Sequence, residues 1–109
     1  MPSEIRLLIL PSGKCPFQEW MEGLRDLKAK AIIRTRIDRI ALGNFGNCRD
    51  LKGGLWELKI DFGPGYRVYF GKSGNQIVLL LTGGDKSSQE RDIIIARDYW
   101  LAYRGEKKT

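Results

Sequence analysis

The stretch Trp56–Phe70, WELKIDFGPGYRVYF, alternates like a ruler. Trp56, Leu58, Ile60 and Phe62 are apolar, and Glu57, Lys59 and Asp61 between them are charged. After Gly63-Pro64-Gly65 the alternation resumes, with Tyr66, Val68 and Phe70 on one parity and Arg67 and Tyr69 on the other. Successive strand side chains point to opposite faces, so this is a β-hairpin of Leu55 to Phe62 and Tyr66 to Gly71. Pro64 sets φ for the first central position of a type II turn, and Gly65 supplies the positive φ at the second. One face collects Trp56, Leu58, Ile60, Val68 and Phe70 for packing. The other collects Glu57, Lys59, Asp61, Arg67 and Tyr69.

The flanking segments supply the rest of a small domain. Ile5 to Leu10 reads as a strand, apolar on both parities and so expected to be buried on both faces. Phe17, Trp20, Met21 and Leu24 recur at helical spacing behind Pro16, a first-turn residue. Trp20 at that spacing reads as core. Asp26 is placed to cap a second helix from Leu27 to about Leu42, with Ile33, Ile37, Ile40 and Ala41 as its core stripe. Asp50 to Lys52 reads as a short edge strand, and Ile77 to Leu81, apolar on both parities, as a central one. Gly83-Gly84 is expected to end that strand. Ser87 with Glu90 has the spacing of a capping box for a last helix, which Gly105 stops ahead of a basic tail at Lys107-Lys108. The order is β-α-α-β-β-β-β-α. The fold class is α+β: an antiparallel, mixed-edge sheet with two N-terminal helices on one side and a C-terminal helix.

With 109 residues the chain makes one domain over 1–109, large enough to carry its own core. Nineteen Lys and Arg against thirteen Asp and Glu give a net charge of +6, which favours a polyanionic partner. Cys15 and Cys48 have no metal-ligand spacing and read as free thiols of a reducing compartment, which points to the cytoplasm. No signal segment and no membrane-spanning run is read from the sequence. The absence of histidine excludes Ser-His-Asp and Cys-His nucleophile systems and His-ligated zinc. No phosphate-cradling glycine loop is present, and no cofactor or metal is expected.

The polar parity of the hairpin has two readings. Glu57, Lys59 and Arg67 make cross-strand ion pairs on a wet surface, or they make a site. RNA strand scission needs a base for the 2′-OH, a cation at the scissile phosphate and a proton or cation at the 5′-oxygen. Glu57 fits the first need, Arg67 the second through its planar fork, and Lys59 or Lys86 the third. Lysine is a poor acid at neutral pH unless strongly shifted, so the isolated protein is expected to be a weak catalyst. Lys28, Lys30, Arg34, Arg36 and Arg39 lie off the stripe of the second helix. They read as a solvated surface or as contacts to RNA phosphates.

Together GNFG (43–46), ELKIDFGPGYRVYF (57–70) and LLLTGGDKSSQERDI (79–93), followed by Ala96 and Tyr99, resemble the HigB-like, phage-derived branch of the RelE/ParE toxin superfamily. The resemblance covers about residues 4 to 103. It implies a toxin of a type II toxin–antitoxin module (an addiction module killer protein). The implied activity is that of an mRNA interferase, a ribosome-dependent endoribonuclease, with ribosome and mRNA as partners. A helix-turn-helix antitoxin would neutralise it in a joint oligomer. ParE-type relatives poison DNA gyrase instead, and a degenerate toxin would serve only as an antitoxin-binding corepressor. By the resemblance, Arg67 matches the arginine used on the scissile phosphate, Lys59 a strand cation and Lys86 a basic residue opposite. Glu57 stands where this branch has an acid. Several RNA-cleaving relatives carry a Tyr or His just past the last strand. Here 86–92 is KSSQERD, without an aromatic, which leaves Tyr69 as the stacking group.

Overall fold

The computed structural model describes residues 2–74 and 76–105. The elements run β1 (Glu4–Leu7), α1 (Pro16–Gly23), α2 (Leu27–Ala41), β2 (Cys48–Asp50), β3 (Leu55–Ile60), β4 (Tyr66–Ser73), β5 (Ile77–Asp85), a 3-10 turn (Lys86–Ser88) and α3 (Gln89–Gly105). The expected tail at 107–108 lies outside the described residues. Five strands form one mixed sheet in the order β1-β5-β4-β3-β2. All neighbours are antiparallel except β1, which runs parallel to β5 at the edge.

The sheet separates two cores. On one face Phe17 and Met21 of α1 and Ile33, Ile37 and Ile40 of α2 meet Leu58, Ile60, Val68 and Phe70. Pro16 opens α1, and the Asp26 carboxylate accepts the Lys28 and Ala29 amides at the start of α2. On the other face Ala96 and Trp100 of α3 meet Leu55, Tyr69, Leu79 and Leu81. Strand β5 feeds both cores, Val78 and Leu80 on one side and Leu79 and Leu81 on the other, as its two-sided apolar pattern requires.

Several local expectations change. The Ile5–Leu10 run is not a strand buried on both faces. Only Glu4–Leu7 pairs, at an edge, and Leu7 is 40% and Ile9 65% exposed. The edge strand before the hairpin is Cys48–Asp50, earlier than Asp50–Lys52. The hairpin turn closes one residue early: the Gly65 amide donates to the Phe62 carbonyl at 3.0 Å, with Gly63 at φ +55°. Gly83-Gly84 does not end β5, which continues to Asp85. These glycines are clearances. A Cβ at Gly83 would lie 2.3 Å from the Trp20 ring, and one at Gly84 would lie 1.9 Å from Asp92 Oδ2. The helical start is capped by Asp85, whose carboxylate takes both the amide and the hydroxyl of Ser87, rather than by a Ser87–Glu90 box.

A bulge sits in β5. Tyr69 pairs with Thr82 and Phe70 with Leu80, so Leu81 is an extra residue. It turns Gly83 toward α1 and Gly84 toward α3.

Burial raises the Cys48 thiol to about 11, against the opposing pull of Arg36 and Lys72. Thiolate is the reactive form, so Cys48 should be alkylated roughly a hundredfold more slowly than the same cysteine in the unfolded chain near pH 8. Mass spectrometry of timed iodoacetamide labelling, native against denatured, checks this.

Candidate functional site

The strand register decides which polar side chains meet. Lys59 faces Arg67 and Glu57 faces Tyr69 across β3 and β4. Arg49 of β2 faces Glu57 from the outer side, and Gly84 of β5 faces Arg67. This parity is the one that α3 covers. Glu57 is 3%, Arg67 5% and Tyr69 0% exposed, so the expected solvated face is largely a buried one. Only at its rim does it reach water, where the Lys59 side chain is 50% exposed and lies 3.7 Å from Asp61.

Glu57 is the hub. Its Oε1 lies 3.0 Å from Arg49 Nη2. Its Oε2 accepts from Gln89 Nε2 at 2.9 Å and lies 4.0 Å from Arg67 Nε. Arg67 Nη1 donates to the Gly65 carbonyl at 2.7 Å, which fixes the guanidinium against the hairpin turn. Lys86 reaches the same turn from the other side: its amide donates to the Pro64 carbonyl at 3.4 Å. A Cβ on Gly65 would stand 3.0 Å from Arg67 Nη1 and 3.5 Å from Lys86 Cβ, so that glycine is the gap between the two cations. Glu57, Lys59 and Arg67 of the hairpin are thus joined by Lys86, from beyond β5, at one end of the sheet.

The carboxylate of Glu57 is occupied on both oxygens. An incoming hydroxyl reaches it only if Gln89 swings away. The arrangement suits holding Arg67 in place more than drawing a proton from RNA.

Tyr69 is fully buried and cannot stack on a base, contrary to the expectation for it. Burial first, then the Glu57 carboxylate, push its phenol well above the ordinary range, with Asp92 adding and Arg67 opposing. Its hydroxyl faces the Glu57 carboxylate, but neither it nor Arg67 Nε, both buried, makes a hydrogen bond of good geometry among the described residues. Such an orphan costs stability. Tyr69→Phe should therefore raise stability by about 1 kcal/mol, a shift of roughly 4–8 °C in the thermal midpoint of a domain near this size. A melt of the two proteins by circular dichroism checks it.

The basic side chains of α2 do not join this site, because α2 packs on the opposite face of the sheet. Lys28 Nζ stands 5.8 Å from the Phe62 ring near the hairpin turn. Lys30 and Arg34 border a depression beside Leu7 and Met21. Arg36 and Arg39 border another beside Phe45. They form a separate basic surface.

Arg49, Gln89 and Asp92 belong to the site and were not expected. Arg49 sits on a three-residue strand whose pairing has no sequence signal. Asp92 is 8% exposed, accepts from Ser88 Oγ at 2.5 Å and presses on Gly84. Among the described residues no three Cys, Asp or Glu side chains converge as metal ligands would. No described helix is long and apolar enough to cross a membrane.

No protein-family model matches the chain. The chain is similar to an uncharacterized protein of Haemophilus influenzae, with 48% identity over 77 residues, 71% of this chain and 78% of that protein. Identity of that size over that share of both chains identifies relatives, and the chain belongs to the same family as the Haemophilus protein.

Proposed function

We propose that this chain is a RelE-like toxin of a type II toxin–antitoxin module, an endoribonuclease that cuts mRNA on the ribosome in the cytoplasm. A helix-turn-helix antitoxin holds it inactive in a joint oligomer. The observation that carries this reading is the convergence of Lys59, Arg67 and Lys86 around the Gly63-Pro64-Gly65 turn, with Glu57 4.0 Å from Arg67. In the reaction the 2′-oxygen loses its proton and bonds to phosphorus, the bond to the 5′-oxygen breaks, and that oxygen takes up a proton. Arg67 offers its charge to the phosphate oxygens, where negative charge grows. Lys59 or Lys86 stands at the leaving oxygen. With no histidine in the chain, the ribosome is the natural source of the missing proton transfers.

The test is brief induction in a bacterial host with mRNA 5′ ends mapped within minutes. New in-frame cuts inside translated regions support the nuclease. Growth arrest with whole messages sinks it. The closed Glu57–Gln89 contact favours a second reading, a module that acts by binding alone, on gyrase or on its antitoxin. That reading expects intact mRNA, with an SOS response in the gyrase case.

A further inference from the structure

The geometry points to Gln89 as a positioning residue that holds the Glu57 carboxylate off Arg67 and so leaves the guanidinium charge to an incoming anion. This rests on the reading of Arg67 as the cation for phosphate, and adds to it a neutral side chain outside the hairpin. Glu57 and Arg67 are both buried and of opposite charge. Two such groups normally close into a short, often bidentate pair. Here they do not. The recorded approach is 4.0 Å, from Arg67 Nε to Glu57 Oε2, too long for a hydrogen bond. The Nε–H makes no hydrogen bond of good geometry among the described residues. A buried donor left unpaired is costly, and a movement of about 1 Å would satisfy it. The carboxylate must therefore be held back.

Its other two partners do this. Arg49 Nη2 stands 3.0 Å from Oε1, on the β2 side. Gln89 Nε2 donates to Oε2 at 2.9 Å, from the start of α3. Oε2 is thus the oxygen that both Gln89 and Arg67 could use, and Gln89 has it. Arg49 is exposed, so water and salt weaken its hold. Gln89 is half-buried and uncharged. It fixes the carboxylate without bringing a further cation to compete for the anion.

The other end of Arg67 shows what the separation preserves. Nη1 donates to the Gly65 carbonyl at 2.7 Å, at the turn that Lys86 also reaches. A carboxylate drawn onto Nε would pull against that bond and neutralise the guanidinium at close range. Gln89→Ala should therefore have two effects that the loss of an ordinary structural hydrogen bond would not have together. Glu57 turns to Arg67, so the fold gains stability. The turn loses available positive charge, so anion binding weakens.

The test uses the purified full chain at low salt. Wild type, Gln89→Ala and Gln89→Lys are compared by the NMR resonance of the Arg67 Nε–H, assigned by its loss in Arg67→Lys, and by a thermal melt. Wild type and Gln89→Ala are also titrated with a short oligodeoxynucleotide, which has no 2′-hydroxyl and stays whole. In Gln89→Ala the Nε–H should move downfield as it gains an acceptor. The thermal midpoint should rise by roughly 4 °C or more, and oligonucleotide binding should weaken roughly tenfold. Gln89→Lys restores a donor to Oε2 and should return the resonance toward its wild-type place. A lower midpoint with the Arg67 resonance unmoved would overturn the proposal, since Gln89 would then be an ordinary structural contact. A moved resonance with undiminished binding would overturn it too. A wild type that does not bind the oligonucleotide sinks the reading of Arg67 as the phosphate cation. The resonance and the melt then still decide whether Gln89 holds Glu57 away.

Discussion

Under the proposed nuclease reading, Arg67→Ala is expected to lower message cleavage by roughly two to three orders of magnitude, the usual loss when one preorganised charge-stabilising donor is removed. On the sequence alone this substitution sits on a wet face and should leave the fold untouched. The structure alters that expectation. Arg67 is 5% exposed, and its removal takes from Glu57 one of the cations that compensate its buried charge. A cost of about 1–3 kcal/mol should accompany the loss of activity. Arg67→Lys separates the two effects, because it keeps the charge beside Glu57 and loses the planar fork. The decisive pair of measurements is growth on induction and a urea titration of each purified variant. A folded Arg67→Ala protein that still cuts messages within a few-fold of wild type would remove Arg67 from the chemistry.

Trp100→Ala should be the most damaging single change in the α3 core, at about 3–5 kcal/mol, a large part of what a small domain has. The ring is 2% exposed, and its Nε1 donates to the Gly53 carbonyl at 2.7 Å. It also lies flat on Gly71, where an added Cβ would be 2.2 Å from ring carbons. Gly71→Ala alone should therefore overpack the same place and cost about 1–3 kcal/mol or more. With both changes made, the new methyl group enters the space the indole has left. The double variant should then be less damaged than the sum of the singles by upwards of about 0.5 kcal/mol. Denaturant unfolding of the four proteins measures the coupling, and strict additivity would show that Gly71 is not there to seat the ring.

The hairpin was legible because a two-residue period admits one physical reading, and the α1 and α2 stripes because theirs is helical. The burial of the polar parity was not. Nothing local to Glu57 or Arg67 shows that Gln89, 32 positions from Glu57, closes over it. Arg49 was invisible for the same reason, since its pairing with Glu57 depends on where a three-residue strand docks. Gly83-Gly84 misled because glycine serves turns and close packing alike, and only Trp20 and Asp92 decide between them. The apolar Ile5–Leu10 run misled because an edge strand and a central one look alike until a neighbour is found for each side. The basic residues of α2 were correctly placed off the core stripe, but the sequence could not say that the sheet would lie between them and Arg67.

The extra residue at Leu81 makes β5 a strand with two phases. Before it, side chains are dealt to the two cores by one parity. After it, the same rule runs shifted, and the two glycines fall where an indole and a carboxylate need room. Loss of one residue there would exchange those vacancies for backbone bearing the wrong clearance on each side, although composition and hydropathy would barely change. Homologues should therefore vary in residue type along this segment far more freely than in length. A one-residue deletion between Leu81 and Asp85 should be harsher than any conservative replacement within it.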